Sequence, residues 1–439
     1  MIDLSPYIRA VADADPMKIY GRVVEITGII IKASGVKASI GESCRILSAS
    51  LDLEAEVVGF RDGKVLLMAV GDLSGIKAGS RVLPIGKKVA VKASSGLIGR
   101  VINDRGEPID GKGPVAGREY PLNSVTPHPL KRQRIKDPID LGIRSINGLL
   151  TCGKGQRIGI MAGSGVGKSV LLGMMARYTA AQVNVIAMIG ERGREVREFI
   201  EKDLGEEGIK KSVIVVSTSD QPPLAKVRGA LVATAIAEYF RDRGNDVLLL
   251  MDSLTRVAMA QREIGLATGE PPTAKGYTPS VFALLPKLLE RIGTSEGSGS
   301  ITGLYTVLVE GDDMSDPVAD SARAILDGHI VLSRELAMES HYPAIDVLQS
   351  ISRLMPDIVD AKHRDLASKF VETMAVYKKV EDMINLGAYK EGTNPKVDYA
   401  IRIIDKLKSY LRQGMQERRD FTDSLQGLHF LFEDAGGKA

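Results

Sequence analysis

Gly159-Ile160-Met161-Ala162-Gly163-Ser164-Gly165-Val166-Gly167-Lys168-Ser169-Val170 decides how this chain folds. Ile158 and Ile160 read as the end of a buried strand, and Ala162 to Ser169 as a phosphate-binding loop. The glycines let the backbone turn its amides inward, where side chains would block a polyphosphate. Ala162, Gly163, Ser164, Gly165, Val166 and Gly167 form the cradle. Lys168 can reach the β- and γ-phosphates, and the Ser169 hydroxyl can ligate Mg2+. Val170 to Ala181 looks helical, so the phosphates would sit at a helix N-terminus, where free amides and the dipole favour anions. The strict pattern begins with Gly; Ala162 is small enough for that turn. An ordinary glycine-rich strand-to-helix turn is the bland alternative. The strand before, Gly-Lys-Ser at the end and the helix after favour phosphate.

Downstream, strands and helices alternate. Val183 to Ile189 reads as a strand, Glu195 to Leu204 as a helix, Val213 to Ser217 as a strand and Ala225 to Arg243 as a long helix. Val247 to Met251 is an apolar strand ending in Asp252, Pro279 to Ile292 is helical, and Ile301 to Val309 is another strand. Apolar strands between helices mean a parallel sheet covered on both faces. Asp252 then lies at the sheet's C-terminal edge, beside the loop, where it can hold the Mg2+ shell. Glu191 follows another strand end and could orient and deprotonate the water that attacks a γ-phosphate. Arg192 beside it could contact phosphate or link subunits; a surface pair is the plain alternative. After about Arg353 the strands stop. Ala361 to Leu386, Pro395 to Gln413 and Phe421 to Phe432 carry helical periodicity.

Upstream the character changes. Ile19 to Ile26, Gly28 to Ile31, Glu54 to Phe60 and Lys64 to Val70 read as short strands, with Arg61-Asp62-Gly63 as a hairpin turn. Close turns without helix signals suggest a small closed barrel. Met1 to Asp15 reads as a weakly amphipathic helix that could dock a partner, or as a frayed terminus. Val89 to Pro129 is a glycine- and proline-rich approach in which Gly99 to Asn103 and Gly106 to Asp110 read as ordered turns.

A chain of 439 residues implies two or three domains. A net charge of +3 is too small to argue for nucleic acid, and with no Trp and 5% aromatic residues there are few stacking platforms for single strands. Cys44 and Cys152 can build neither a disulfide framework nor a metal cluster, which fits a reducing cytosol. No apolar run approaches the roughly 18 residues of a membrane span, and Met1 to Ala10 has no signal-peptide core.

Further motifs are more specific. Gly190-Glu191-Arg192-Gly193-Arg194-Glu195, Met251-Asp252-Ser253-Leu254-Thr255-Arg256, Ile264 to Pro272 and Lys275 to Phe282 resemble the type III secretion ATPases, above all their flagellar protein export branch. The likeness runs over nearly the whole chain. These proteins are similar to the catalytic subunits of rotary ATP synthases. The resemblance implies an α/β fold: a RecA-like P-loop ATPase core (residues 86–355), a small N-terminal β-barrel (1–85) and a helical C-terminal domain (356–439), assembled as a homohexamer. It implies ATP and Mg2+ as ligands, Lys168 and Ser169 on phosphate and metal, Glu191 as the catalytic carboxylate and Asp252 as the Walker B acid. It also makes Tyr342, in His341-Tyr342-Pro343, the aromatic that packs on adenine, and Arg353, in Ser350-Ile351-Ser352-Arg353, the finger reaching a neighbour's nucleotide. From spacing alone Tyr342 is a turn residue and Arg353 a solvated cation. Implied partners are export-gate membrane proteins, a regulatory stator-like protein, a central stalk and chaperone–cargo complexes, with the ring in the cytoplasm at the inner face of the membrane. A virulence secretion ATPase and a rotary synthase subunit are the alternatives; a hexameric RNA helicase, sharing the RecA core, fits the modest charge poorly.

Overall fold

Two compact units divide the chain: residues up to Val89 with Glu263–Pro271, and Ala90–Arg262 with Pro272 onward. The computed structural model describes Leu4 and residues 19–48, 51–309, 313 and 315–433. The Met1 to Asp15 helix expectation therefore lies, Leu4 apart, outside the described residues.

In the first unit six strands close into a barrel: β1 (Gly21–Thr27), β2 (Ile30–Ser34), β3 (Glu42–Ser48), β4 (Leu51–Arg61), β5 (Lys64–Ala69) and β6 (Arg81–Lys88). Their order is β1-β2-β5-β4-β3-β6. The β4–β5 hairpin turns on Asp62 (φ 50°) and Gly63 (φ 71°), and a two-residue hairpin of this hand needs both residues left-handed. Alternation sends Val23, Ile31, Ile46, Val57, Leu67 and Val82 inward to one dry core. Closure leaves no open sheet edge.

The second unit starts with β7 (Ala90–Ala93), β8 (Arg100–Asn103) and β9 (Arg118–Pro121), of which β7 and β9 pair. Its main sheet adds β10 (Arg157–Ala162), β11 (Val183–Ile189), β12 (Ser212–Ser217), β13 (Asp246–Asp252), β14 (Gly293–Thr294), β15 (Ser300–Leu308), β16 (Gly328–Leu332) and β17 (Ile345–Ser352). The order is β17-β16-β10-β15-β13-β11-β12-β8, with β14 on β15. Every pair from β16 to β8 is parallel, whereas β17 runs antiparallel to β16. β11, β12 and β13 are apolar almost throughout because the sheet is buried on both faces.

Two sequence expectations need correction. Arg100–Asn103 is not a turn but an edge strand paired with β12, fastened by a bidentate Arg100–Asp110 ion pair (2.7 and 2.8 Å). The segment expected to be one helix from Glu195 to Leu204 is α-helical over Gly193–Glu198 and then a π-turn over Phe199–Leu204. Phe199 and Leu204 are both buried. A 3.6-residue turn puts residues with that spacing on different faces, and an i→i+5 turn brings them together.

After Ser352 the chain is helical, with helices Ala361–Asn385, Pro395–Leu411 and Phe421–Glu433. Asp360 caps the first through its side chain, and Asn394 caps the second ahead of Pro395. Among the described residues no helix is long and apolar enough to cross a membrane.

Candidate active site

β10 ends at Ala162, which is 1% exposed and paired with Leu308 of β15 and Leu332 of β16. Its extended place in the ladder explains why a residue with a Cβ suits that position. The chain then turns through Gly165 (φ 80°) and Gly167 (φ 85°), both in the region that favours glycine. Lys168 opens the helix Lys168–Tyr178, so the loop's amides gather at a helix N-terminus, as an anion requires.

Four adjacent parallel strands, β10, β15, β13 and β11, bring the site's groups together. Asp252 ends β13, opposite Met188 of β11, and Glu191 follows β11 by two residues. Between them Gly190 (φ 75°) has the Arg256 side chain so close that a Cβ would stand 2.9 Å from it. Lys168 Nζ donates to Asp252 Oδ1 at 2.6 Å and lies 3.5 Å from Glu191 Oε1. The Thr306 hydroxyl, from β15, donates to the same Asp252 oxygen at 2.7 Å. Thr306 is a site residue that sequence reasoning missed; its only signal was a hydroxyl inside an apolar strand.

One ammonium therefore faces two carboxylates. Burial pushes the Lys168 ammonium towards neutrality, but the charges of Asp252 and Glu191 outweigh it and hold its pKa above the usual value. Burial, then the charge of Asp252, pushes Glu191 up to about 7 against the pull of Lys168. The Asp252 carboxylate, and the hydroxyl of Ser169 in the first turn of the helix that Lys168 begins, are oxygen donors of the kind that suit a hard divalent cation such as Mg2+.

Tyr342 comes to the same place from far along the chain. Its ring carbons lie 3.5 Å from where a Cβ on Gly167 would stand, and 44% of the residue is exposed. Two expected residues do not converge on this loop. The Arg192 side chain is 78% exposed and lies 3.9 Å from Glu195. Arg353 sits beyond β17, where its N–H bonds the Asp327 carbonyl, and Asp327 in turn bonds Arg157 at the start of β10. Arg353 is thus at the opposite end of β10 from the loop, about 16 Å along a strand rising ~3.3 Å per residue.

The family model for the ATP synthase alpha/beta family, nucleotide-binding domain, matches residues 142–352. That family's beta-barrel domain matches 23–86, and the T3SS EscN ATPase C-terminal domain matches 359–429. The flagellum-specific ATP synthase of Bacillus subtilis (strain 168) is 53% identical over 95% of this chain and 96% of its own. The type 3 secretion system ATPase of Xanthomonas euvesicatoria is 49% identical over 95% of both chains. The chain belongs to the family of flagellum-specific ATP synthases and type 3 secretion system ATPases. Among solved members of this family, assembled EscN from the enteropathogenic E. coli type III secretion system superposes with a TM-score of 0.89 at 44% identity, covering 94% of this chain and 99% of that one. EscN is also solved in complex with its central stalk EscO, with a TM-score of 0.87.

Proposed function

We propose that this chain hydrolyses ATP to energise protein export through a flagellar type III secretion apparatus, working as a homohexameric ring. The observation that carries the reading is Lys168 held between Asp252 and Glu191 at the mouth of a phosphate loop, in a chain of this family. Lys168 neutralises charge on the transferring phosphoryl group. Glu191 orients the attacking water and takes its proton, a role suited to a carboxyl that titrates near neutrality. Asp252 and Ser169 would hold Mg2+, whose charge would stabilise the phosphate oxygens. Tyr342 packs on the base, and Ala162 to Gly167 line the phosphates. Arg192, exposed beside Glu191, is assigned to the subunit boundary, where it meets phosphate once a neighbour is in place.

Arg353 acts on a neighbour's nucleotide. Its place at the far end of β10 from its own loop supports this; there the guanidinium bonds the Leu326 and Arg323 carbonyls. The domain limits of the reading are 1–85, 86–355 and 356–439. By analogy with EscN and EscO, a central stalk occupies the ring axis; export-gate proteins, a stator-like regulator and chaperone–cargo complexes complete the machine at the cytoplasmic face of the membrane. A virulence secretion system is the second reading, since relatives of both kinds match equally well in length. Capture of flagellar chaperones, with loss of flagellar export in a strain carrying Lys168→Ala, is the expected result. Capture of effector chaperones alone would assign the virulence system.

A further inference from the structure

Gln413 lies just past the helix Pro395–Leu411 and is 4% exposed. Its backbone N–H donates to the Tyr342 carbonyl at 2.9 Å. Its side-chain oxygen accepts from the Arg144 N–H at 2.8 Å, and its Nε2 donates to the carbonyls of Gly142 and Glu417, each at 2.8 Å. A carboxamide presents one acceptor oxygen and two N–H donors in a single plane, and here all are engaged. Gly142 (φ 71°) is itself wedged: a Cβ there would stand 2.2 Å from the Cβ of Tyr178, on the helix that Lys168 begins. Through its side-chain amide and its backbone N–H, Gln413 thus ties together the approach to the nucleotide strand, the loop between the last two helices and the turn that carries Tyr342. Tyr342, Arg144, Gln413 and Glu417 border one open cavity.

We propose that Gln413 is a positioning residue for the base-contacting face of Tyr342, so that the placement of the C-terminal helices is felt at the nucleotide base. The inference rests on the reading of Tyr342 as the base platform. Its physical ground is the cost of unmade buried hydrogen bonds. Without the amide, the half-buried Arg144 N–H loses its partner and the buried Gly142 carbonyl is left with the 3.5 Å bond from the Arg419 N–H, so the loop shifts until water reaches them. That shift withdraws the Gln413 N–H from the Tyr342 carbonyl. The Tyr342 backbone is then free to move, and the Cα that carries the ring moves with it.

The test uses the full-length assembled protein with Gln413→Leu, Tyr342→Ala and the double variant. ATP KM and kcat are measured together with the inhibition constant of inorganic tripolyphosphate, which carries phosphates and no base. Gln413→Leu is expected to raise the ATP KM about tenfold, the effect of one lost buried hydrogen bond. It should leave kcat within about threefold and tripolyphosphate inhibition unchanged, and add nothing to Tyr342→Ala. Tripolyphosphate weakened by the same factor, or effects that multiply in the double variant, would overturn the inference, because Gln413 would then support the fold at large. A normal KM for Gln413→Leu beside a raised KM for Tyr342→Ala would overturn the inference alone. A normal KM for Tyr342→Ala would remove the base platform and the inference with it. If the Leu variant does not fold, Gln413→Asn, with the same polar groups one carbon shorter, is read in the same way.

Discussion

Lys168 stands between Asp252 and Glu191, and its single charge cannot be replaced by an apolar side chain. Lys168→Ala is expected to lower steady-state ATPase activity by about 10²-fold or more while the circular dichroism spectrum stays that of the folded chain. Near-normal turnover would move the chemistry elsewhere. Glu191→Gln keeps the size and removes the base, so kcat should drop with little change in nucleotide affinity. The sign of the pH dependence follows from the raised pKa. A carboxyl that burial and Asp252 push up to about 7 is protonated below that pH and cannot accept the water's proton. The kcat/KM profile should therefore fall with one proton's slope on the acid side of about pH 7, and Glu191→Gln should lose that limb. A flat profile from pH 5 to 8 in the parent would detach Glu191 from the proton. At this scale the sequence is uneven. Lys168 and Asp252 are legible because a loop motif and a strand end fix their neighbourhoods locally. Tyr342 is legible only through the resemblance, and Thr306 and Gln413 not at all, because each owes its place to partners more than fifty residues away.

Elements whose local chemistry agrees with their fold are the ones the sequence announces. The Asp62-Gly63 hairpin and the apolar β13 ending in Asp252 emerge where turn residues and period predict them. β8 is hidden because four residues between glycines carry no period. β17 is hidden because its alternation breaks at Leu348–Ser350, where the Asp346 carboxylate bonds the Leu348 and Gln349 amides in mid-strand. The π-turn Phe199–Leu204 is set by packing against the phosphate-loop helix, not by its own composition. A Cβ on Gly173 of that helix would stand 2.6 Å from the Asp203 carbonyl oxygen. Helix propensity favours Gly173→Ala by about 1 kcal/mol. Overpacking opposes it by about 1–3 kcal/mol, and since the atoms touched are backbone, the clash wins. The melting temperature of Gly173→Ala should fall; a rise would show that the π-turn yields freely.

For the whole molecule, the question is where the site ends. On the proposed reading an Arg353→Ala subunit keeps its own loop and a Lys168→Ala subunit keeps its finger. Each variant alone should be nearly inactive, since a finger contributes roughly 10³ to 10⁵ in rate. Their mixture should regain activity at boundaries pairing an intact loop with an intact Arg353, and parent activity per subunit should rise with concentration as rings form. Steady-state ATPase rates with light scattering check both. No recovery in confirmed mixed rings would leave Arg353 a surface cation. The domain architecture was readable from motifs spread along the chain, and the resemblance already implied a ring with Arg353 as its finger; the length of β10 between Arg353 and its own loop supports that reading. That opposition gives the subunit a direction. On the proposed reading, loop and finger would act as socket and plug on two different surfaces, so copies would join head to tail. A broken circle then carries one idle socket and one idle plug, and a pair of subunits has half its sites working. Only closure puts every site to use, so counting active sites per assembly distinguishes a ring from an arc without an image of either.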